Sequence, residues 1–507
     1  MGTETATSQG DEPVPAIRTV AGSGTAGYKG DGEPAVDAQL NRPYGMAFDS
    51  TGALYLADFT NHRVRKITTD GRISTVAGNG TAGFGGDDGP AASARLNYPR
   101  ELAVDGADAL YIADGNNHRV RKVTPDGTIT TVAGTGTAGF SGDGGPATAA
   151  RLNGPFGVAV DSEGVLYIGE HGNARVRKVT PDGQISTVAG NGSAGAGGDG
   201  GPAVSAQLNR PHAVVVDGAG ALYIAEFGSH RIRKVAADGT ISTVAGTGAA
   251  GFGGDGGPAA SAKLNGPTGV AVDIMGTLYI ADYVNHRIRA VAPDGTISTV
   301  AGTGAAGFGG DGGPAASAQT HNPIAVAVDC VDAVHIADFV NNRIRKIPSR
   351  RLAGLPEAGA VVAWANVRSK LRMAVAGEST RDGAEVHQCL AVPRNHQQWR
   401  LIPVGQDAGE VLYRIENVRS RKVLEVLGAH RAAGAVVAQR DYEGGEAHHQ
   451  HWRLIPVGSG GDGPGVFEIA NRNSGLLLRV DTNARTVITQ QRAEGDHRNR
   501  QWRLLPA

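Results

Sequence analysis

Short apolar runs punctuated by Gly, Pro and Asp recur along the first two thirds of the chain. Between Phe156 and Gly190 the runs are Gly157–Asp161, Val165–Ile168, Arg175–Val179 and Ile185–Ala189. Ser162-Glu163-Gly164 and Pro181-Asp182-Gly183 lie between them as turn sequences, with Pro and Gly where β-turns favour them. Runs this short, separated this tightly, predict four antiparallel strands rather than helices. The same pattern returns with a fixed period. Thr-Val-Ala-Gly starts at Thr19, Thr75, Thr131, Thr187, Thr243 and Thr299, every 56 residues without insertion or deletion. A period of this kind marks one supersecondary unit stacked on copies of itself.

The ends of the array say how it closes. Ile17–Gly22 is a fourth strand with no first three before it, and Ile324–Ile347 supplies three strands and then stops. The two fragments complete one unit. An all-β, six-bladed propeller is predicted over residues 16–347, its N-terminal strand closing the last blade and leaving no open sheet edge. Residues 1–15 read as a disordered tail and 348–359 as a linker.

The segment Ala57-Asp58-Phe59-Thr60-Asn61-His62-Arg63-Val64-Arg65-Lys66 and its counterparts at 113–122, 169–178, 225–234, 281–290 and 337–346 resemble NHL-repeat propellers. The family's blades average shorter; the excess here lies in the connections from the fourth strand of one blade to the first of the next, such as residues 78–97. Loops of about 20 residues are uncommon unless functional. A meander of four strands places these connections on the same face as the loops between second and third strands. They are read as bracing between blades or as a binding rim. Their G-x-G-x-x-G pattern (Gly134, Gly136, Gly139) lacks the long crossover helix that a dinucleotide site requires. Asp31, Asp87, Asp143, Asp199, Asp255 and Asp311 supply one carboxylate per connection, too few for calcium, and are read as turn formers. Asp58, Asn61, His62 and Arg63 are expected to cross-link the loop by charge-assisted hydrogen bonds.

Positions that break the period carry the candidate chemistry. Where the first strand starts, the copies read Tyr44, Arg100, Phe156, His212, Thr268 and Ile324. Glu101 follows Arg100, the repeated Asp becomes Glu170 and Glu226, and His171 follows Glu170. Arg100, Glu101, Glu170, His171, His212 and Glu226 are thus predicted to gather at the channel mouth on neighbouring blades, as drift or as a site. His171, His212 and a Glu could ligate a divalent metal. This loosely resembles propeller lyases such as virginiamycin B lyase, without a motif-for-motif match that would transfer a catalytic residue.

Beyond residue 360 a new threefold pattern begins. Gln397–Pro403, Gln450–Pro456 and Arg500–Pro506 each centre on Trp-Arg-Leu. These motifs, with residues 415–426, resemble the ricin-type β-trefoil, whose Q-x-W repeats once per lobe with its Trp in the core. The resemblance covers 360–507 and implies carbohydrate binding through an Asp, a stacking aromatic and a polar residue. All three lobes depart from that set: the Asp is replaced by Ala374, Glu425 and Arg479, and the aromatic by Cys389, Arg440 and Gln491. The second lobe keeps the most, with Glu425, Gln439, Tyr442 and His449 as candidate sugar contacts.

Composition narrows the rest. Residues 1–347 hold 26 Lys and Arg against 33 Asp and Glu, a net −7, and the remainder is +6. An acidic propeller is a poor phosphate-backbone binder, so no nucleic-acid partner is expected. No run reaches the ~18 apolar residues of a membrane helix. Cys330 and Cys389 exclude a disulfide framework. With no signal peptide at the N-terminus the expected location is cytoplasmic, unless the chain is a processed or truncated form. The sequence therefore reads as a non-enzymatic binding protein without a cofactor: a propeller platform for a protein partner, joined to a lectin-like module for carbohydrate. The alternative is a metal-dependent lyase or hydrolase with its site at the channel mouth.

Overall fold

The computed structural model describes residues 16–49, 51–273, 276–329 and 333–348, and strands with some flanking residues between 361 and 506. The expected tail at 1–15, residues 349–359 of the expected linker 348–359, and Cys330 lie outside the described residues. The chain divides into two compact units, with the boundary after residue 351.

The first unit is a six-bladed β-propeller. Strand β1 (Arg18–Ala21) stands alone, and the first complete blade follows as β2 (Pro43–Phe48), β3 (Leu54–Asp58), β4 (Arg63–Ile67) and β5 (Ile73–Ala77). These pair in sequence order as an antiparallel meander. The last blade has strands Pro323–Val328, Val334–Asp338 and Arg343–Ile347, and β1 adds to its outer edge with Thr19 opposite Arg345. Ile17 is fully buried among Val334, Ile336 and Ile347, so closure buries apolar area as well as pairing an edge.

The long connections are not free loops. Each folds along the outer edge of the next blade: Asp88 N–H donates to Ile129 carbonyl (2.8 Å) and Ala91 N–H to Gly127 carbonyl (2.8 Å). In two blades Gly89–Pro90 and Gly145–Pro146 pair as a fifth strand. A short 3-10 turn then buries one Ala per copy, such as Ala91, between blades. Glycine is required where the connection leaves the outer strand. At Gly78 (φ +85°) a Cβ would lie 2.3 Å from the His62 carbonyl oxygen.

The second unit is all-β. Its strands include Trp399–Asp407, Glu410–Asn417, Val423–Val426, Val437–Arg440 and Trp452–Pro456. Trp364, Trp399 and Trp452 are fully buried, and the indole N–H groups of Trp399 and Trp452 donate to the carbonyls of Met373 (3.1 Å) and Leu424 (2.9 Å). The Q-x-W tryptophans at 399 and 452 therefore build the core, because a buried indole needs both apolar packing and an acceptor. Among the described residues no helix is long and apolar enough to cross a membrane.

Candidate functional site at the channel mouth

The propeller face is organised by one arginine per blade. Arg65 has no exposed side-chain surface and lies between Asp31 of the connection (2.6 Å) and Asp58 at the end of β3 (3.4 Å). The same bridge is formed by Arg121, Arg177, Arg233, Arg289 and Arg345. This corrects two expectations. The guanidinium paired to Asp58 is that of Arg65, whereas Arg63 donates to the carbonyls of Gly78 and Asn79. The connection aspartates are anchors for the buried arginine rather than mere turn formers. Arg65 recurs with the same period as Arg63, but only Arg65 points inward between strand and connection.

His62 is held in the left-handed region (φ 53°), and its Nδ1 accepts the Tyr98 N–H of the next connection (3.2 Å). His118, His230 and His286 repeat this bond. Their number reflects blade-to-blade stapling.

At the centre the mouth is closed by side chains. Tyr44 and His212 stand three repeats apart, on opposite blades, and their Oη and Nε2 atoms are 2.7 Å apart. His212 Nδ1 lies 3.0 Å from the Thr268 carbonyl, which can only accept. Nδ1 therefore carries the proton and Nε2 accepts from the Tyr44 hydroxyl. Burial pushes His212 down to about 3, helped by the Arg100 charge, and pushes Tyr44 up to about 12, so both are neutral. Arg100 donates to the Tyr44 oxygen (3.2 Å) and lies 3.5 Å over the Phe156 ring, with Phe59 at 5.0 Å. It fits because the second copy has Gly115 where others carry an aromatic or His. A Cβ on Gly115 would come 2.8 Å from Arg100 Nε. Phe339 and Phe227 complete the cluster around Tyr44 and His212.

The six residues expected to share this mouth separate into three groups. Arg100, His171 and His212 do meet, His171 stacking on Phe156 at 4.3 Å and lying 6.2 Å from His212. Burial, with Arg100 and Arg210, pushes His171 down to about 4. Glu101 instead lines a channel cavity of about 290 Å³ among the innermost strands, beside Met46, Leu102 and Val158. Burial pushes its carboxyl up to about 8, opposed by the N–H groups of Met46 and Leu102. Glu170 and Glu226 replace the repeated Asp in the arginine bridges, paired with Arg177 (3.2 Å) and Arg233 (3.5 Å). Two of the carboxylates envisaged beside the histidines as metal ligands, Glu170 and Glu226, are thus engaged by arginines, and the third, Glu101, faces the channel cavity. Among the described residues no three His, Cys, Asp or Glu side chains come together as a metal site. Sequence reasoning named Tyr44 and Phe156 among the variable first-strand positions without making them site members, and it passed over Phe59, whose repeat position is aromatic or His in every copy but the second. Nothing in the period says that opposite blades touch.

The plug makes a pH prediction. In the unfolded chain His212 takes up a proton below about 6.5, whereas in the fold it stays neutral down to about 3. The unfolded state then binds more protons, so stability falls as pH drops through that window, by roughly 1 kcal/mol per pH unit. Glu101 acts oppositely, its raised value adding stability as pH falls from about 8. His212→Gln, which retains a donor and an acceptor, is therefore compared with the parent protein. The variant is expected to be less stable at pH 7.5 and to close the gap or reverse it by pH 4.5 in urea unfolding. A pH-independent gap would contradict the neutral-histidine assignment.

In the second unit the four candidate contacts of the second lobe are only partly assembled for a ligand. Glu425 is 1% exposed and accepts from the Gln450 amide (3.0 Å), so the Gln of Q-x-W holds it. Gln439 is buried and accepts from the Ser420 hydroxyl (2.6 Å). Tyr442 is half-buried, with Arg414 4.5 Å over its ring and its hydroxyl 3.2 Å from His451 Nε2. His449 lies outside the described residues.

Residues 353–440 and 448–507 match the ricin-type beta-trefoil lectin domain-like family. Residues 40–67 and 96–123 match the NHL repeat, and 247–307 the Teneurin NHL domain. The chain combines an NHL-repeat six-bladed propeller with a ricin-type β-trefoil lectin-like domain. It is similar to Teneurin-3 of Mus musculus, 34% identical over 231 residues, covering 41% of this chain and 8% of that protein. It is also similar to Teneurin-m of Drosophila melanogaster, 28% identical over 381 residues, covering 65% of this chain and 12% of that protein. The chain thus spans a small part of the length of these relatives. A structural genomics protein of unknown function from Bacteroides thetaiotaomicron has a similar fold, with a TM-score of 0.50 at 19% identity, covering 66% of this chain and 76% of that one.

Proposed function

We propose that this chain is a non-enzymatic binding protein, in which the propeller presents a rim to a protein partner and the trefoil serves as a carbohydrate-directed module. The observation that carries the reading is a set of exposed aromatics on the connections. Tyr28 is 59% exposed, and Phe140, Phe252 and Phe308 are each 42–43% exposed. They recur at one repeat position, and arginines hold them: Arg63 lies 4.8 Å from the Tyr28 ring and Arg175 3.9 Å from Phe140. Large rings held rigid on a water-facing surface lose little entropy on binding, which is why aromatics dominate interface anchors. The family match of the second unit supports the carbohydrate half of the reading.

The test has two arms on the full chain. A random peptide library is panned against the protein and against a rim variant combining Tyr28→Ser, Phe140→Ser, Phe252→Ser and Phe308→Ser. Selected peptides are expected to bind the variant at least tenfold more weakly; equal binding removes the rim from the proposal. A glycan array is probed beside Tyr442→Ala. Sugar binding lost in that variant supports the second lobe, and a blank array at high protein concentration removes the carbohydrate half.

A further inference from the structure

One copy breaks the aromatic ring. The repeat position occupied by Tyr28, Phe84, Phe140, Phe252 and Phe308 is Ala196 in the fourth copy. In the other copies the ring covers the guanidinium of Arg63, Arg119, Arg175, Arg287 or Arg343, at 3.7 to 4.8 Å. The equivalent arginine here is Arg231. It is held as firmly as its counterparts, donating to the Thr247 carbonyl (2.9 Å) and the Ala196 carbonyl (3.4 Å). One side packs on Gly248, where a Cβ would come 2.9 Å from Nη2. In place of the missing ring lies a cavity of about 350 Å³, lined by Gly195, Ala196, Asn209, Ser229, Arg231 and Thr247, among others.

A second departure falls in the same copy. Asn61, Asn117, Asn173, Asn285 and Asn341 each donate an amide N–H to a connection carbonyl, that of Gly27, Gly83, Gly139, Gly251 or Gly307. The fourth copy has Ser229 instead, and its shorter hydroxyl donates to Glu226. The corresponding carbonyl, that of Gly195, lacks the amide donor of its counterparts, and Gly195 lines the cavity. The copy therefore lacks one aromatic ring and one N–H donor, side by side, in a molecule that supplies both five times over.

We propose that this pocket binds an aromatic residue of a partner polypeptide, its ring over Arg231 in the place taken by phenylalanine in the other copies and an adjacent amide N–H donating to the Gly195 carbonyl. The ligand class follows from the molecule's own filled copies. A guanidinium fixed by carbonyls attracts the face of a ring, and a volume near 350 Å³ falls in the range of small-ligand pockets. Among the six repeat copies the site occurs once. It deepens the rim reading, since it would be the point where a partner inserts a side chain rather than lies across the surface.

The probe is N-acetyl-phenylalanine amide, titrated against the full chain by ligand-observed NMR, with the cyclohexylalanine and alanine analogues as comparators. Saturable one-to-one binding in the millimolar range is expected, weaker by at least threefold for cyclohexylalanine and undetectable for alanine. Ala196→Phe restores the missing ring and is expected to weaken binding more than tenfold while leaving the melting temperature equal or higher. Arg231→Met keeps the space but removes the cation, and is expected to lose binding too. The rim variant (Tyr28→Ser, Phe140→Ser, Phe252→Ser, Phe308→Ser) retains this pocket and is expected to bind the probe as the parent does, so the rim and the pocket fail separately. No saturable binding to the parent protein, or binding unchanged in Ala196→Phe or in Arg231→Met, overturns the proposal.

Discussion

A chain that begins at residue 23 is expected to lose most of the propeller's stability and to self-associate. The truncation removes β1, its pairing with Arg343–Ile347 and the fully buried side chain of Ile17. It also removes two bonds from Thr19 to Asp311, through the backbone N–H (3.0 Å) and the hydroxyl (2.6 Å). Burying one Ile contributes about 2 kcal/mol, and each net hydrogen bond about 1 kcal/mol. The sum is on the order of 5 kcal/mol or more, comparable with the whole stability of an ordinary domain. The exposed edge of Arg343–Ile347 would then be a template for a second chain. Urea unfolding and size-exclusion chromatography test this. A monomer within ~1 kcal/mol of the parent would show that the ring does not depend on its N-terminal closure.

The second large effect is expected at a buried arginine. Arg177→Met leaves Glu170, itself without exposed surface, facing an apolar side chain. Breaking a buried pair by removing one partner costs about 3–5 kcal/mol, because the remaining charge is neither hydrated nor compensated. The loss depends on pH with a definite sign. Burial already holds the Glu170 carboxyl up at about 7, with Arg177 opposing the shift, and removing the arginine raises it further. A carboxyl raised above its unfolded value costs most when it is ionised in water, so the deficit relative to the parent is greatest at pH 8 and above. It shrinks by roughly 1 kcal/mol per pH unit as the pH falls to about 7, below which both folded proteins hold the carboxyl neutral and the remaining deficit is constant. Glu170→Gln in the same chain is expected to recover much of the loss at pH 8. Denaturant titrations of the parent, the single and the double variant at pH 8 and 5.5 decide it. A deficit below 1 kcal/mol at pH 8 would mean that the bridge contributes little.

The blades were legible because their cause is local. Gly183 after Pro181-Asp182, or the alternation in Arg175–Val179, specifies a turn or a strand from within a few residues, and the 56-residue period repeats that statement until it is unambiguous. The lone strand at Arg18–Ala21 could be assigned to the last blade for the same reason: it is the missing member of a pattern seen in full elsewhere. The candidate site was less legible. Arg100, His171 and His212 stood out as departures from the period, but Glu170 and Glu226 stood out equally and occupy the same arginine bridges as the aspartates they replace. A periodic alignment registers that a residue differs; it does not say whether the side chain turns to the channel or to the blade.

The amino-acid pattern alone determined the number of blades, their closure, the Q-x-W lobes and the acidic character of the propeller, since these depend on local propensity and on repetition. Tertiary structure decided which arginine of each Arg-x-Arg pair is buried, that Tyr44 meets His212 across the ring, and that Ala196 leaves a cavity beside Arg231. The first and third depend on a long connection folding back on the strands of its own repeat, across 34 or 35 residues. The second joins positions 168 residues apart, which meet only when six blades close around a common axis and bring the same position of opposite copies within hydrogen-bond range.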